Sequence, residues 1–166
     1  LLFRPWVAAR LGGGPGPRTA TYATHRLGRI VPAYWLAILG SVLLLWPRDG
    51  EPGVRLPPLG QLPLFFVFLQ NRSADTVMTL DPPMWTLAVE AAFYALLPLL
   101  GALALRARAT RRAQAVVPLA ALALGVAWNW WLAGQEGLSG TWSKSLPAML
   151  PYFAVGMLAA VALHGR

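Results

Sequence analysis

The run from Trp85 to Leu105 reads WTLAVEAAFYALLPLLGALAL and carries one charge, Glu90. At 1.5 Å of rise per residue, a helix over these residues covers ~31 Å, the hydrocarbon thickness of a bilayer. The run therefore predicts a membrane-spanning helix. Glu90 would lie ~7.5 Å below the interface if Trp85 marks the aromatic belt. A carboxylate at such depth is costly, about +2.5 to +3.5 kcal/mol at the centre of a span and less toward its edge. It is expected to face the bundle interior or a water-filled cavity. Helical spacing puts Thr86, Glu90 and Tyr94 on one stripe, with Phe93 and Leu97 beside it. The plainest role for Glu90 is pairing with a neighbouring helix; the sharper one is chemistry, as a general acid or base or in orienting a histidine.

Composition agrees with a membrane protein, since 57% of the chain is hydrophobic and only 12% is charged. That balance excludes an ordinary soluble domain and a disordered chain. The fold class expected is all-α, a polytopic transmembrane bundle of about four full spans with one short partial or re-entrant helix. The absence of cysteine excludes disulfides, thiolate catalysis and cysteine-ligated metal sites, and no metal site is expected.

In order, residues 1–29 predict a basic cytoplasmic loop, flexible at Gly12-Gly13-Gly14-Pro15-Gly16-Pro17. The opening Leu1-Leu2-Phe3 suits the last turn of an earlier span. Spans follow at 30–46, 85–105, 115–133 and 146–163, and residues 61–70 are too short to cross a bilayer. The loops 4–29 and 106–112, with Arg166, hold ten of the fourteen basic residues and none of the acidic ones. The alternate loops hold Arg48, Arg55, Arg72 and Lys144 together with Asp49, Glu51, Asp75, Asp81 and Glu136. This asymmetry places the basic loops in the cytoplasm and Glu90 near the outer end of its helix. The formal charge of +8 is thereby explained by orientation, and no nucleic-acid partner is expected.

Arg18, Tyr22, His25, Arg26 and Arg29 recur at helical spacing, predicting a cationic stripe on a short helix at the membrane surface, with a bend at Pro32. Guanidinium groups one turn apart suit phosphate oxygens, which they bind bidentately. The simpler role is an anchor to anionic lipid.

Two motifs now carry a resemblance. His25-Arg26-Leu27-Gly28-Arg29-Ile30-Val31-Pro32-Ala33-Tyr34-Trp35, followed by Gln70-Asn71 and then Trp85-Thr86-Leu87-Ala88-Val89-Glu90-Ala91-Ala92-Phe93-Tyr94 with Leu97-Pro98, resembles the membrane-bound acyltransferase-3 family. The segment Leu146-Pro147 to Met157 is also similar. Ala88 stands where the family motif has serine, Ala91 where it has a second glutamate, and His25 where arginine is frequent. The resemblance covers roughly His25 to Ala160 and implies part of a larger multi-helix acyltransferase-3 fold in the plasma membrane.

It further implies acyl transfer, commonly acetyl, from acyl-CoA to a hydroxyl of a cell-surface glycan or a secondary metabolite. Acyl-CoA would be a co-substrate, with no bound cofactor. Arg26, Arg29 and His25 would meet the donor at the cytoplasmic face. Glu90 would support catalysis, with Trp85, Thr86 and Tyr94 lining the acceptor side. The family's base, a histidine on a first span, would precede Leu1, so the chain is expected to be an internal fragment that is inactive alone. The competing readings are a non-catalytic membrane remnant or subunit and a transporter half, the last lacking any visible internal repeat.

Overall fold

The computed structural model describes every residue except 1, 136, 138, 165 and 166. Glu136 and Arg166, both used in the charge argument, lie outside the described residues. The described chain is all-helical, and four helices are long and apolar enough to cross a membrane, over Thr24–Arg48, Met84–Arg106, Arg111–Ala133 and Gly140–Ala162.

The first correction comes at the start. Helix α1, Arg4–Gly12, occupies residues expected to be loop, with Pro5 in its first turn and Gly13 ending it at φ 72°. Pro at a first helical turn costs no hydrogen bond, and a left-handed glycine is a common helix stop. The Gly-Pro run breaks the chain only between Gly13 and Arg18. Trp6 and Val7 are fully buried, because α1 packs against the helix carrying Glu90. Arg10 Nε donates to the carbonyl of Ala107 at 2.7 Å, satisfying a helix end that lacks intrahelical donors.

Helix α2 is the second correction. It runs unbroken over Thr19–Leu45, through Gly28 and Pro32, where a short surface helix, a bend and a span at 30–46 were expected. Its outer face exposes Leu36, Leu39, Leu43 and Leu44, apolar positions that suit lipid. Its inner face buries Tyr34 and Ile38 against Phe65, Leu80 and Met84.

Residues 61–70 form short pieces, among them α3, Pro63–Phe66, and α4 follows at Ala74–Val77. Helix α5, Met84–Arg106, holds the long apolar run. Helix α6, Arg111–Ala133, and helix α8, Leu146–Ala162, run antiparallel, separated by the one-turn α7, Ser139–Trp142. They approach closely at Gly125, where a Cβ would lie 2.4 Å from Pro151 Cδ. Asn129 Nδ2 donates to Gly125 O at 2.8 Å and to Ala148 O at 2.9 Å, tying the two helices at the same level. The main core joins α1, α5, α6 and α8 through Trp6, Phe93, Leu97, Ala121, Ala154 and Met157.

Candidate functional site

The site grows from the way α2 lies along α5. At one end, buried Gln70 donates from Nε2 to Tyr34 Oη at 2.8 Å and to the carbonyl of Met84 at 3.0 Å, joining α2 to the first residue of α5. Neighbouring Asn71 donates from Nδ2 to Trp85 O at 2.9 Å and to Lys144 O at 2.7 Å. These amides fix where α5 begins. From that rung, Arg26 is eight residues, ~12 Å, back along α2, and Tyr94 is ten residues, ~15 Å, into α5. Antiparallel helices thus bring Arg26 to the level of Tyr94.

The Arg26 guanidinium lies over the Tyr94 ring, 5.4 Å from its centroid. That distance is within cation–π range. Tyr94 is also within electrostatic reach of Glu90 on its own helix and of Arg29 across the interface. Tyr22, one turn before Arg26, feels the same guanidinium, and its Oη is shielded from solvent with no hydrogen-bond partner among the described residues. Its ring meets Trp6 edge-on at 5.4 Å. Trp6 in turn fits beneath Gly101, where a Cβ would lie 2.2 Å from its Nε1. Pro98 has no N–H, so the backbone carbonyl of Tyr94 lacks its usual intrahelical donor beside this cluster.

Glu90 is half-buried and forms no hydrogen bond or ion pair among the described residues. With Trp85 and Thr86 it lines a shallow cavity of about 150 Å³ closed by Met149, Tyr152 and Phe153 of α8. The Thr86 hydroxyl donates back to Pro83 O at 2.8 Å, leaving its oxygen lone pairs to accept. Phe153 also stacks on Phe93 at 3.9 Å, which fixes α8 against this face of α5.

Arg26, Arg29 and Glu90 therefore all lie within electrostatic reach of Tyr94, and Trp85 and Thr86 share the cavity that Glu90 lines. The expected separation of a cationic stripe at the inner surface from a carboxylate near the outer surface is not what the helices form. Because α2 starts at Thr19, Arg26 and Arg29 lie in its second and third turns, alongside the middle of α5. His25 is exposed and forms no hydrogen bond or ion pair with Glu90 or Tyr94 among the described residues. His164 lies at the far end, where its carbonyl accepts from Arg111. The amide clamp of Gln70 and Asn71 was visible only as part of a motif; its signal is two adjacent amides between an apolar run and Asp81-Pro82-Pro83.

Four span-capable helices, with two arginines, a tyrosine and a carboxylate grouped where α2 lies along α5, define a polytopic membrane protein with a polar cluster between two of its helices. Residues 12–166 match the acyltransferase domain of the acyltransferase-3 family, and the chain belongs to that family of membrane acyltransferases. No curated protein and no solved structure matches it.

Proposed function

We propose that this protein moves an acyl group, acetyl in the first instance, from acyl-CoA to a hydroxyl of a cell-surface glycan or small metabolite at the plasma membrane. The single observation that carries this reading is the Arg26–Tyr94 stack one helical turn from Glu90. It gives one place where donor phosphate and reacting hydroxyl can both be held. Arg29 is exposed and Arg26 half-buried, which leaves both guanidinium groups open to a donor whose phosphate oxygens they would bind bidentately.

In the reaction, the acceptor oxygen attacks the thioester carbonyl, its proton passes to a base, and the carbon–sulfur bond breaks as the CoA thiolate leaves and is protonated. Glu90 acts in support, placing negative charge beside the group that takes the acceptor proton. A half-buried carboxylate without a fixed partner is suited to that role. Trp85 and Thr86 line the space above Glu90 where an acceptor hydroxyl would approach.

The test is acyl transfer from radiolabelled acetyl-CoA by the protein expressed from its whole reading frame, with Arg26→Ala/Arg29→Ala as the variant. The donor KM should rise while insertion stays normal. An unchanged donor KM with altered insertion would assign the arginines to lipid anchoring instead.

A further inference from the structure

A second cavity shares Val89 with the one that Glu90 lines, and its volume of about 380 Å³ is within the range of small-molecule sites. Ala88 and Ala92 form its floor, and helical spacing turns both of them away from the Glu90–Tyr94 stripe. Arg72 and Lys144 supply two cations to its wall. Among the described residues Arg72 has no hydrogen-bond or ion-pair partner, while Lys144 Nζ donates to Gly140 O at 2.9 Å. Phe68 and Trp142 supply aromatic surface, and Thr141 a hydroxyl.

Two further observations set this cavity apart from an ordinary surface fold. Phe68 is held at φ 60°, a left-handed conformation that a bulky side chain adopts only where its surroundings enforce it. Its ring is locked by stacking on Tyr34 at 4.4 Å. Asn71, whose Nδ2 joins α5 to Lys144, keeps an Oδ1 that is shielded and has no donor among the described residues. The wall is thus fixed in place at a cost in backbone strain, and it still carries unspent polar capacity.

We propose that this cavity binds an anionic saccharide unit, a sugar bearing a carboxylate or phosphate, and so selects charged glycans as acceptors. The anionic group pairs with Arg72 and Lys144, the apolar face of the sugar ring lies on Phe68 and Trp142, and its hydroxyls meet Thr141 and Asn71. Small residues at 88 and 92 leave room for the ring. The hydroxyl that reacts belongs to another unit of the glycan, because Glu90 does not line this cavity but the neighbouring one, beyond Val89. This assignment rests on the glycan-acceptor reading above, and its test reads binding separately from transfer.

Isothermal titration of the protein expressed from its whole reading frame, in phosphatidylcholine nanodiscs, would compare a glucuronate-bearing oligosaccharide with its neutral counterpart. The charged ligand should bind about tenfold more tightly, the worth of one charge-assisted contact. Arg72→Ala and Lys144→Ala should each remove most of that preference, Arg72→Glu should reverse it, and Arg72→Lys should keep part of it. Thermal unfolding in the same discs should stay unchanged for Arg72→Glu, since Arg72 is exposed and has no hydrogen-bond or ion-pair partner among the described residues. Equal binding of charged and neutral ligands, or a preference indifferent to both cations, overturns the proposal. So does phosphatidylglycerol competing the saccharide away through Arg72, which would make the cavity a lipid headgroup site. Charge-selective binding without acyl transfer to any glycan would leave the subsite standing and remove the acyltransfer reading.

Discussion

Arg26 and Tyr94 face one another across the α2–α5 interface, with the guanidinium 5.4 Å from the ring centroid and Glu90 one turn further along α5. The contact depends on the ring's electron-rich face, so it distinguishes aromatic from aliphatic replacements. Tyr94→Phe should retain donor affinity. Tyr94→Leu should weaken it by ~2- to 30-fold, the range of about 0.5–2 kcal/mol for such contacts. Measuring KM for acyl-CoA in both variants decides this, and equal values would separate the seam from donor binding.

Gln70 is fully buried and serves two acceptors, Tyr34 Oη and Met84 O. Gln70→Met keeps the volume but leaves the buried Tyr34 hydroxyl without its donor, and should cost about 1–3 kcal/mol. In the Tyr34→Phe background the loss should be smaller, because the stranded hydroxyl is gone. A double-mutant cycle from thermal or denaturant unfolding in detergent would show this coupling; strict additivity would mean that the amide does not bridge the helices.

How far the residues announced all this differs between the two helices that build the seam. Helix α5 was legible because its apolar run is continuous and ends on Arg106. The first half of α2 was not, because arginine ordinarily marks the membrane boundary and Gly28 and Pro32 weaken a helical reading. What overrides them is tertiary: α5 offers Arg26 the aromatic face of Tyr94, a ring that Arg29 also reaches electrostatically. Likewise the loop read into Arg4–Gly12 failed because nothing local reports that Trp6 will fill the space over Gly101. The Arg72–Lys144 cavity was invisible for a related reason, since its walls come from segments far apart in the chain and only folding brings them together.

The Trp6–Gly101 contact makes a sharp steric prediction. A methyl group at residue 101 would lie 2.2 Å from Trp6 Nε1, so Gly101→Ala must displace α1 or bend α5. Overpacking of this kind costs typically about 1–3 kcal/mol. Trp6→Ala combined with Gly101→Ala should be less destabilised than the sum of the two single changes. Proteolysis near Gly12 to Gly14 would report release of α1, and an unaltered digestion pattern in Gly101→Ala would contradict the packing.

The two ends of the bundle give a topological prediction. Arg10, Arg106, Arg108 and Arg111 gather at one end, while Arg72 and Lys144 share the other with Asp75 and Asp81. By the positive-inside rule the charge bias predicts that the first end faces the cytoplasm. The chain has no cysteine, so single cysteines can be introduced directly. Ala74→Cys should react with an impermeant maleimide in intact cells, and Ala109→Cys should react only after permeabilisation. Both sites are exposed. The reverse pattern would invert the orientation and place the Arg72 cavity on the cytoplasmic side.

Glu90 allows chemistry to be separated from packing. Glutamine preserves its size and hydrogen-bonding capacity but cannot carry the negative charge or exchange a proton. The carboxylate has no hydrogen bond or ion pair among the described residues, so Glu90→Gln breaks no such contact and relieves the cost of a charge inside the bundle. Expression and thermal stability should therefore hold or rise slightly. Acyl transfer should fall by about 10²-fold or more, on the scale of general acid–base contributions, with the donor KM nearly constant because Arg26 and Arg29 remain. A fall in kcat at constant KM is the pattern of an interaction made in the transition state. Glu90→Asp, which keeps the charge on a shorter stem, should recover part of the rate. If Glu90→Gln proved fully active, or lost activity only in step with lost protein, the carboxylate would be a packing element of α5 and the seam would hold the donor without aiding the proton transfer.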